Sequence, residues 1–137
     1  MSKKWKRIRG WSWPVLIAIC ITLVSGTNNL VVPNLGLFSS DKLKHLLVFG
    51  LLSTAIIRNF SLEQKGITTI LIAGVATSLF GMGDEIWQSF TPGRTLDIWD
   101  WLADTIGAFT AAIAYRHFHA YRRILEKDIF PKKNVES

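Results

Sequence analysis

Apolar residues fill this chain in four blocks separated by short polar stretches. No ionised side chain occurs in residues 10–40 or 66–83, and shorter uncharged runs cover 46–57 and 105–115. At about 1.5 Å of rise per helical residue, the two long runs can cross a hydrocarbon layer of roughly 30 Å. The shorter two cross only if charged neighbours enter the membrane with them. The pattern predicts helices over about 12–29, 41–58, 64–88 and 96–121. "SSD" at 39–41 offers an N-cap for the second helix. "TPGR" at 91–94 separates the third from the fourth, because Pro92 and Gly93 break a helix. Pro14 falls near the start of the first helix, where its missing N–H costs nothing. The expected fold is all-α: a polytopic membrane protein with four transmembrane helices in one compact bundle. Its expected divisions are a basic N-terminus (1–10), a transmembrane domain (11–121) and a basic, frayed tail (122–137). A soluble four-helix bundle is the competing fold, and the two long uncharged runs argue against it.

Composition agrees. The chain has 137 residues, room for one domain, and 49% of them are hydrophobic. The mean hydropathy is positive, high for a soluble domain. The lone cysteine, Cys20, cannot form an intramolecular disulfide and reads as a small helix residue. "MSKKWKRIRG" followed by the apolar residues 13–24 resembles a signal peptide, with cleavage after Gly26 as the alternative. The uncharged run continues past that point without a small-x-small site, which favours an uncleaved helix.

Charge then supplies an orientation. Four crossings put Lys3, Lys4, Lys6, Arg7, Arg9, Arg58, Lys65, Arg116, Arg122, Arg123, Lys127, Lys132 and Lys133 on one side. Only Lys42, Lys44 and Arg94 of the 16 basic residues fall on the other. Basic loops stay in the cytoplasm, so both termini are expected there and the protein is expected in the plasma membrane as a multi-pass chain. Trp5, Trp11 and Trp13 fit an interfacial belt on that side. The net charge of +6 is thereby explained without nucleic-acid binding. Membrane lipids are the expected partners.

The acids go the opposite way. Asp41, Asp84, Glu85, Asp97, Asp100 and Asp104 all fall at the outer half, with His45. Asp41 and His45 are four apart and share a helix face, as do Asp84 and Gln88. Asp97, Asp100 and Asp104 make one stripe, which Gly107 and Ala111 extend with small residues that admit a close helix. Asp104 lies seven residues beyond Asp97, about 10 Å deeper. An unpaired Asp at that depth costs about 2.5–3.5 kcal/mol, so Asp104 should face the bundle and be paired or protonated. The bland alternatives are specific. Asp97 caps the fourth helix, Asp84 marks the end of the third, Lys44 snorkels, and His117 and His119 are interfacial. Collectively, Lys42, Arg94 and the acids could be an ion-pair network that locks helices together. Small-residue packing could hold such a scaffold at lower desolvation cost, which favours a functional site.

"SSDKLKHLLVFGLLS" and "GMGDEIWQSFTPGRTLDIWDWLADTIGA" together resemble the VanZ-like family of small bacterial membrane proteins. The resemblance rests on D-K-x-x-H (Asp41, Lys42, His45) and on D-E-x-x-Q-x-F-x-P-G-R (Asp84, Glu85, Gln88, Phe90, Pro92, Gly93, Arg94). D-x-x-x-D-x-x-G (Asp100, Asp104, Gly107) completes it. It covers roughly residues 41–114 and implies a compact four-helix domain of the cell envelope, in a family named for an association with teicoplanin resistance. It supplies no reaction.

Two function classes remain open. In an envelope enzyme, His45, Glu85 and Asp100 are the candidate catalytic groups, with His45 and Glu85 as the acid–base pair. Lys42, Gln88 and Arg94 would bind substrate, an anionic group such as a lipid-linked phosphate or peptidoglycan precursor. Asp41, Asp84, Asp97 and Asp104 would be structural or paired. A metal variant places a divalent cation among His45 and the carboxylates, but spacing alone selects no metal, and the cofactor stays unknown. In the alternative, the same pocket binds or scaffolds an envelope lipid or membrane partner without chemistry. An ion path is disfavoured because the acids stop after Asp104 with no polar row continuing.

Overall fold

The structure is a computed structural model and describes residues 3–26, 40–60 and 66–126, with side chains over 10–26, 41–60 and 66–125. Lys65, Glu63, Lys127, Lys132, Lys133 and the tail lie outside the described residues, as do the side chains of Lys3, Lys4, Trp5, Lys6, Arg7 and Arg9.

The described residues hold five helices and no strand, in the order α1 (Lys3–Ser25), α2 (Ser40–Ile57), α3 (Ile67–Ser89), α4 (Ile98–His117) and α5 (His119–Glu126). Two expectations need correction. First, α1 begins at Lys3, so Pro14 sits inside the helix rather than in its first turn. The Lys and Arg residues ahead of it are good helix formers and carry the helix back through the basic segment. The ring then removes one i→i−4 bond, to the Gly10 carbonyl. Second, the expected fourth helix is two helices. Phe118 is extended (φ −94°, ψ 105°) and its N–H closes α4 on the Ala114 carbonyl. The short α5 then brings the Tyr121 hydroxyl to within 3.0 Å of Thr54 Oγ1 on α2. Thr54 gives its own proton to the Gly50 carbonyl, so Tyr121 is the donor. The chain turns from apolar to polar at this joint: Arg116, His117 and His119 follow the last uncharged run, and α5 is amphipathic.

α4 is the central helix and packs on both α2 and α3, while α1 lies outside against α2. The α2–α4 crossing is close because both helices are bare there. A Cβ on Gly107 would collide with the Leu46 backbone carbonyl, and one on Gly50 would stand 3.2 Å from the Gly107 carbonyl and 3.3 Å from the Ala111 Cβ. The small residues read from the sequence are therefore the contact itself.

The packing is inverted relative to a soluble bundle. The buried stripe of α3 is Thr69, Ile70, Ala73, Gly74, Thr77, Gly81, Asp84, Glu85 and Gln88. Its outward positions include Ile67, Leu71, Ile72, Val75, Leu79, Ile86 and Trp87. The apolar core proper is small: Ile57, Ile70, Ala73, Ala112 and Tyr115 at one end, with Ile21, Phe49 and Leu52 nearer the middle. Of the described helices, α3 is long and apolar enough to cross a membrane by itself, and Gly10–Ser25 is a shorter apolar helix.

The helices alternate in direction. Trp11 meets Phe60 edge-on, pairing the start of α1 with the end of α2. Ser25, at the end of α1, meets Asp84 near the end of α3. One end of the bundle thus gathers the end of α1, the start of α2, the end of α3 and the start of α4, and all six acids named above lie there.

Candidate functional site

The turn after α3 builds the entrance. Gly93 takes φ +84°, a conformation open to glycine at little cost, and turns the chain back. Asp97 then caps α4: its side chain accepts from the Trp99 N–H at 2.9 Å. The capping role read from the sequence is correct and is half of what Asp97 does. Lys42, buried on α2, donates to Asp97 Oδ2 at 3.0 Å and to Asp100 Oδ1 at 2.6 Å. Burial alone would raise the Asp97 carboxyl, but hydrogen bonds from Lys42 and the Trp99 N–H, with the Lys42 charge, hold it below the ordinary carboxylate range.

Deeper in, His45, Glu85 and Asp104 converge from α2, α3 and α4. His45 Nδ1 lies 2.9 Å from Asp104 Oδ1, and Asp104 is fully buried. With Asp104 ionised, its oxygen only accepts and Nδ1 carries the proton of this bond. The His45 ring is nearly parallel to Phe49, with centroids 6.0 Å apart, which fixes its plane. Glu85 Oε2 accepts the backbone N–H of Asp97 at 3.1 Å, tying α3 to the start of α4. One ligand-type atom from each of His45, Glu85 and Asp104 lies within 4.8 Å of the other two. Asp41, His45 and Asp100 form a second such group around the same imidazole. Two buried oxygens here have no partner: Glu85 Oε1 and Asp104 Oδ2. Gly81 makes room for Asp104, whose Oδ2 would stand 2.8 Å from a Cβ at that position.

Asp84 belongs to a third group. It accepts from Ser25 Oγ at 2.7 Å and from Gln88 Nε2 at 2.8 Å. Arg94 reaches the same corner by a different route: its Nη1 donates to the Ser25 carbonyl at 2.8 Å. Among the described residues its contact is a neutral carbonyl at the end of α1, a helix terminus whose free carbonyls attract cations.

The structure therefore brings His45, Glu85, Asp100, Asp104, Lys42 and Asp97 together, places Asp41 beside them, and sets Gln88, Asp84 and Arg94 at the α1 corner. Lys44 is exposed, as expected of a snorkelling lysine. Sequence reasoning missed Ser25 and Gly81. Gly81 was findable, since it lies three and four residues before Asp84 and Glu85 on one helix face; Ser25 carried no signal. It also missed a buried hydroxyl row: Ser53, Thr54, Thr69 and Thr77 lie inside the bundle beyond Asp104, so the polar interior does not stop there.

Helical packing with apolar outward faces, around a buried polar cluster at one end, makes this an all-α protein, and one of its described helices, α3, is long and apolar enough to cross a membrane. The VanZ/LLP1 family model matches residues 7–120, and the chain belongs to that family. An uncharacterised protein of Schizosaccharomyces pombe (strain 972 / ATCC 24843) is 33% identical over 115 residues, covering 82% of this chain and 68% of its own length. With a fission-yeast relative, similarity within the family does not imply a bacterial source. No solved structure matches.

Proposed function

We propose that this is a multi-pass membrane protein that receives the headgroup of an anionic lipid or lipid-linked envelope precursor at the acid-bearing end of its bundle. It acts on that headgroup through His45, Glu85 and Asp104. The observation that carries the reading is the inversion of the bundle: ionisable side chains inside, large apolar side chains outside. Leu43, Leu47, Val48 and Leu51 on α2, and Ile98, Trp99, Leu102, Ile106 and Ile113 on α4, are exposed like the outer stripe of α3. An exposed apolar surface of this extent fits lipid contact and supports a reading of four crossings. The asymmetry of basic residues supports termini in the cytoplasm and a site at the outer leaflet. The family's link with teicoplanin resistance enters here, as a reason to look for a lipid- or wall-directed phenotype.

Arg94 is the cation suited to an anionic group. Lys42 is already shared by two carboxylates. Arg94 is half-buried at the rim, bound to a neutral carbonyl, and its planar fork can take a phosphate or carboxylate bidentately. Gln88, held by Asp84, is placed to orient rather than to charge the ligand. The competing reading, a binding or scaffolding module without chemistry, draws on the Lys42–Asp97–Asp100 group, which ties α2 to α4 as a structural lock would.

Arg94→Lys, His45→Ala and Glu85→Gln separate the two. Each is expected to abolish the envelope phenotype of the wild type in a deletion strain while detergent-extracted folded protein stays near the wild-type amount. Function and folded protein falling in proportion in all three would leave the cluster a scaffold. Asp100→Asn does not belong in this set, because Asp100 also carries Lys42.

A further inference from the structure

We infer that His45, Glu85 and Asp104 form a binding site for one divalent transition-metal ion, of the zinc or manganese kind. Three observations converge. The first is geometric: one imidazole and two carboxylates, each from a different helix, offer ligand atoms within 4.8 Å of one another. Metal–ligand bonds of about 2.0–2.2 Å put the ligands of a tetrahedral ion roughly 3.4 Å apart, so small side-chain adjustments close the set. The second is the unpartnered oxygens. Glu85 is 2% exposed and Asp104 0% exposed, yet among the described residues Glu85 Oε1 and Asp104 Oδ2 accept no hydrogen bond. A buried carboxylate oxygen without a partner is costly, and a cation removes the cost for both residues at once. The third is charge. Asp41, Asp84, Glu85, Asp97, Asp100 and Asp104 gather at this end against Lys42, Lys44, Arg94 and the His45 imidazole; Lys44 is exposed, and Lys42 is already committed to Asp97 and Asp100. The interior is short of positive charge, and an anionic ligand alone would deepen the deficit.

The donor set narrows the ion. One imidazole with two carboxylates suits zinc or manganese better than calcium or magnesium, which prefer oxygen-only sites. The surroundings resemble a prepared outer shell: Glu85 is held by the Asp97 N–H, and the His45 ring lies against Phe49. Three protein ligands leave a coordination position open on the side of Asp41 and Asp97, the half-buried residues at the entrance. An anionic headgroup held by Arg94 could occupy that position. The inference rests on the site proposed above and deepens it, changing His45 and Glu85 from proton carriers into ligands.

The test uses the full chain in detergent, with any affinity tag removed. Protein stripped with a chelator is dialysed against zinc or manganese chloride, and bound metal is measured by mass spectrometry beside thermal unfolding. The wild type is expected to hold about one ion per chain and to unfold at a higher temperature with it. Glu85→Gln and Asp104→Asn should bind at least about tenfold more weakly. Without metal, Glu85→Gln should unfold no lower than the wild type, since it removes the unpartnered carboxylate oxygen and its amide oxygen can keep the bond from the Asp97 N–H. Asp41→Asn, in the neighbouring group around His45, should keep its ion. Absence of bound metal in the wild type, equal binding by Glu85→Gln, or loss in Asp41→Asn with retention in Glu85→Gln would each overturn the assignment. No lipid is present in this test. A chain that binds metal yet keeps its phenotype with Arg94→Lys would therefore count against the lipid-headgroup function alone, and the converse pair of results against the metal site alone.

Discussion

Lys42 shows how one residue can be misread by type and placed correctly by position. A lysine beside acids suggests an anion-binding group; held at 3.0 Å and 2.6 Å by Asp97 and Asp100, it is a counter-ion inside the protein. Removing one partner of a buried ion pair typically costs about 3–5 kcal/mol, because the other charge is left buried and uncompensated. Lys42→Met is therefore expected to lower the melting temperature of the detergent-solubilised chain sharply. Lys42→Met with Asp100→Leu should recover much of the loss. A melting curve for Lys42→Met that overlays the wild type would remove the lock from the account. The pH dependence has a definite sign. The folded Asp97 carboxyl lies below its ordinary value, so its contribution to stability is full above the unfolded pKa of about 3.9 and disappears as pH falls through the lower folded value. That acid-side loss should be smaller in Lys42→Met.

At the scale of the helix, the crossing of α2 and α4 is the element that aligns the site. His45 lies one residue before Leu46, whose carbonyl sits against Gly107, and Asp104 lies one turn before Gly107 on α4. A Cβ at Gly107 pushes the two backbones apart where His45 and Asp104 must meet. Overpacking of this kind costs about 1–3 kcal/mol in ordinary cores, and a rigid backbone carbonyl cannot swing away as a side chain can. Gly107→Val should therefore reduce the yield of monodisperse folded protein to a small fraction of wild type. Ala111→Val, facing the Gly50 contact, should do so to a lesser degree. Size-exclusion profiles of the two variants beside the wild type give the ranking, and equal yields for all three would contradict it.

For the whole molecule, the separation of acids from bases predicts an orientation. Among the described residues, Arg58, Arg116, Arg122 and Arg123 lie toward one end of the bundle and the six acids at the other. With Cys20→Ser as the background, Thr91→Cys should react with an impermeant thiol reagent in intact cells, whereas Arg58→Cys should react only after lysis. The reverse pattern would place the site on the cytoplasmic side and require a cytoplasmic ligand.

The sequence by itself determined the helices, the family and the membership of the cluster. Each of these depends on local periodicity or on residue types at fixed spacing. The run 66–83 is long and uncharged wherever it lies, and Asp97, Asp100 and Asp104 share a face on any α-helix. Tertiary structure alone decided who pairs with whom. Lys42 and Asp100 are 58 residues apart, His45 and Asp104 are 59, and Arg94 and Ser25 are 69. No pattern within one helix specifies which of several acids a lysine will reach, or that Arg94 will choose a helix-end carbonyl over a carboxylate. The placement of α5 is of the same kind: the change to a polar, amphipathic composition after Tyr115 is legible in the sequence, but that Tyr121 meets Thr54 on another helix is not. Periodicity is a property of one element, whereas a hydrogen-bond partner is a property of how the elements cross.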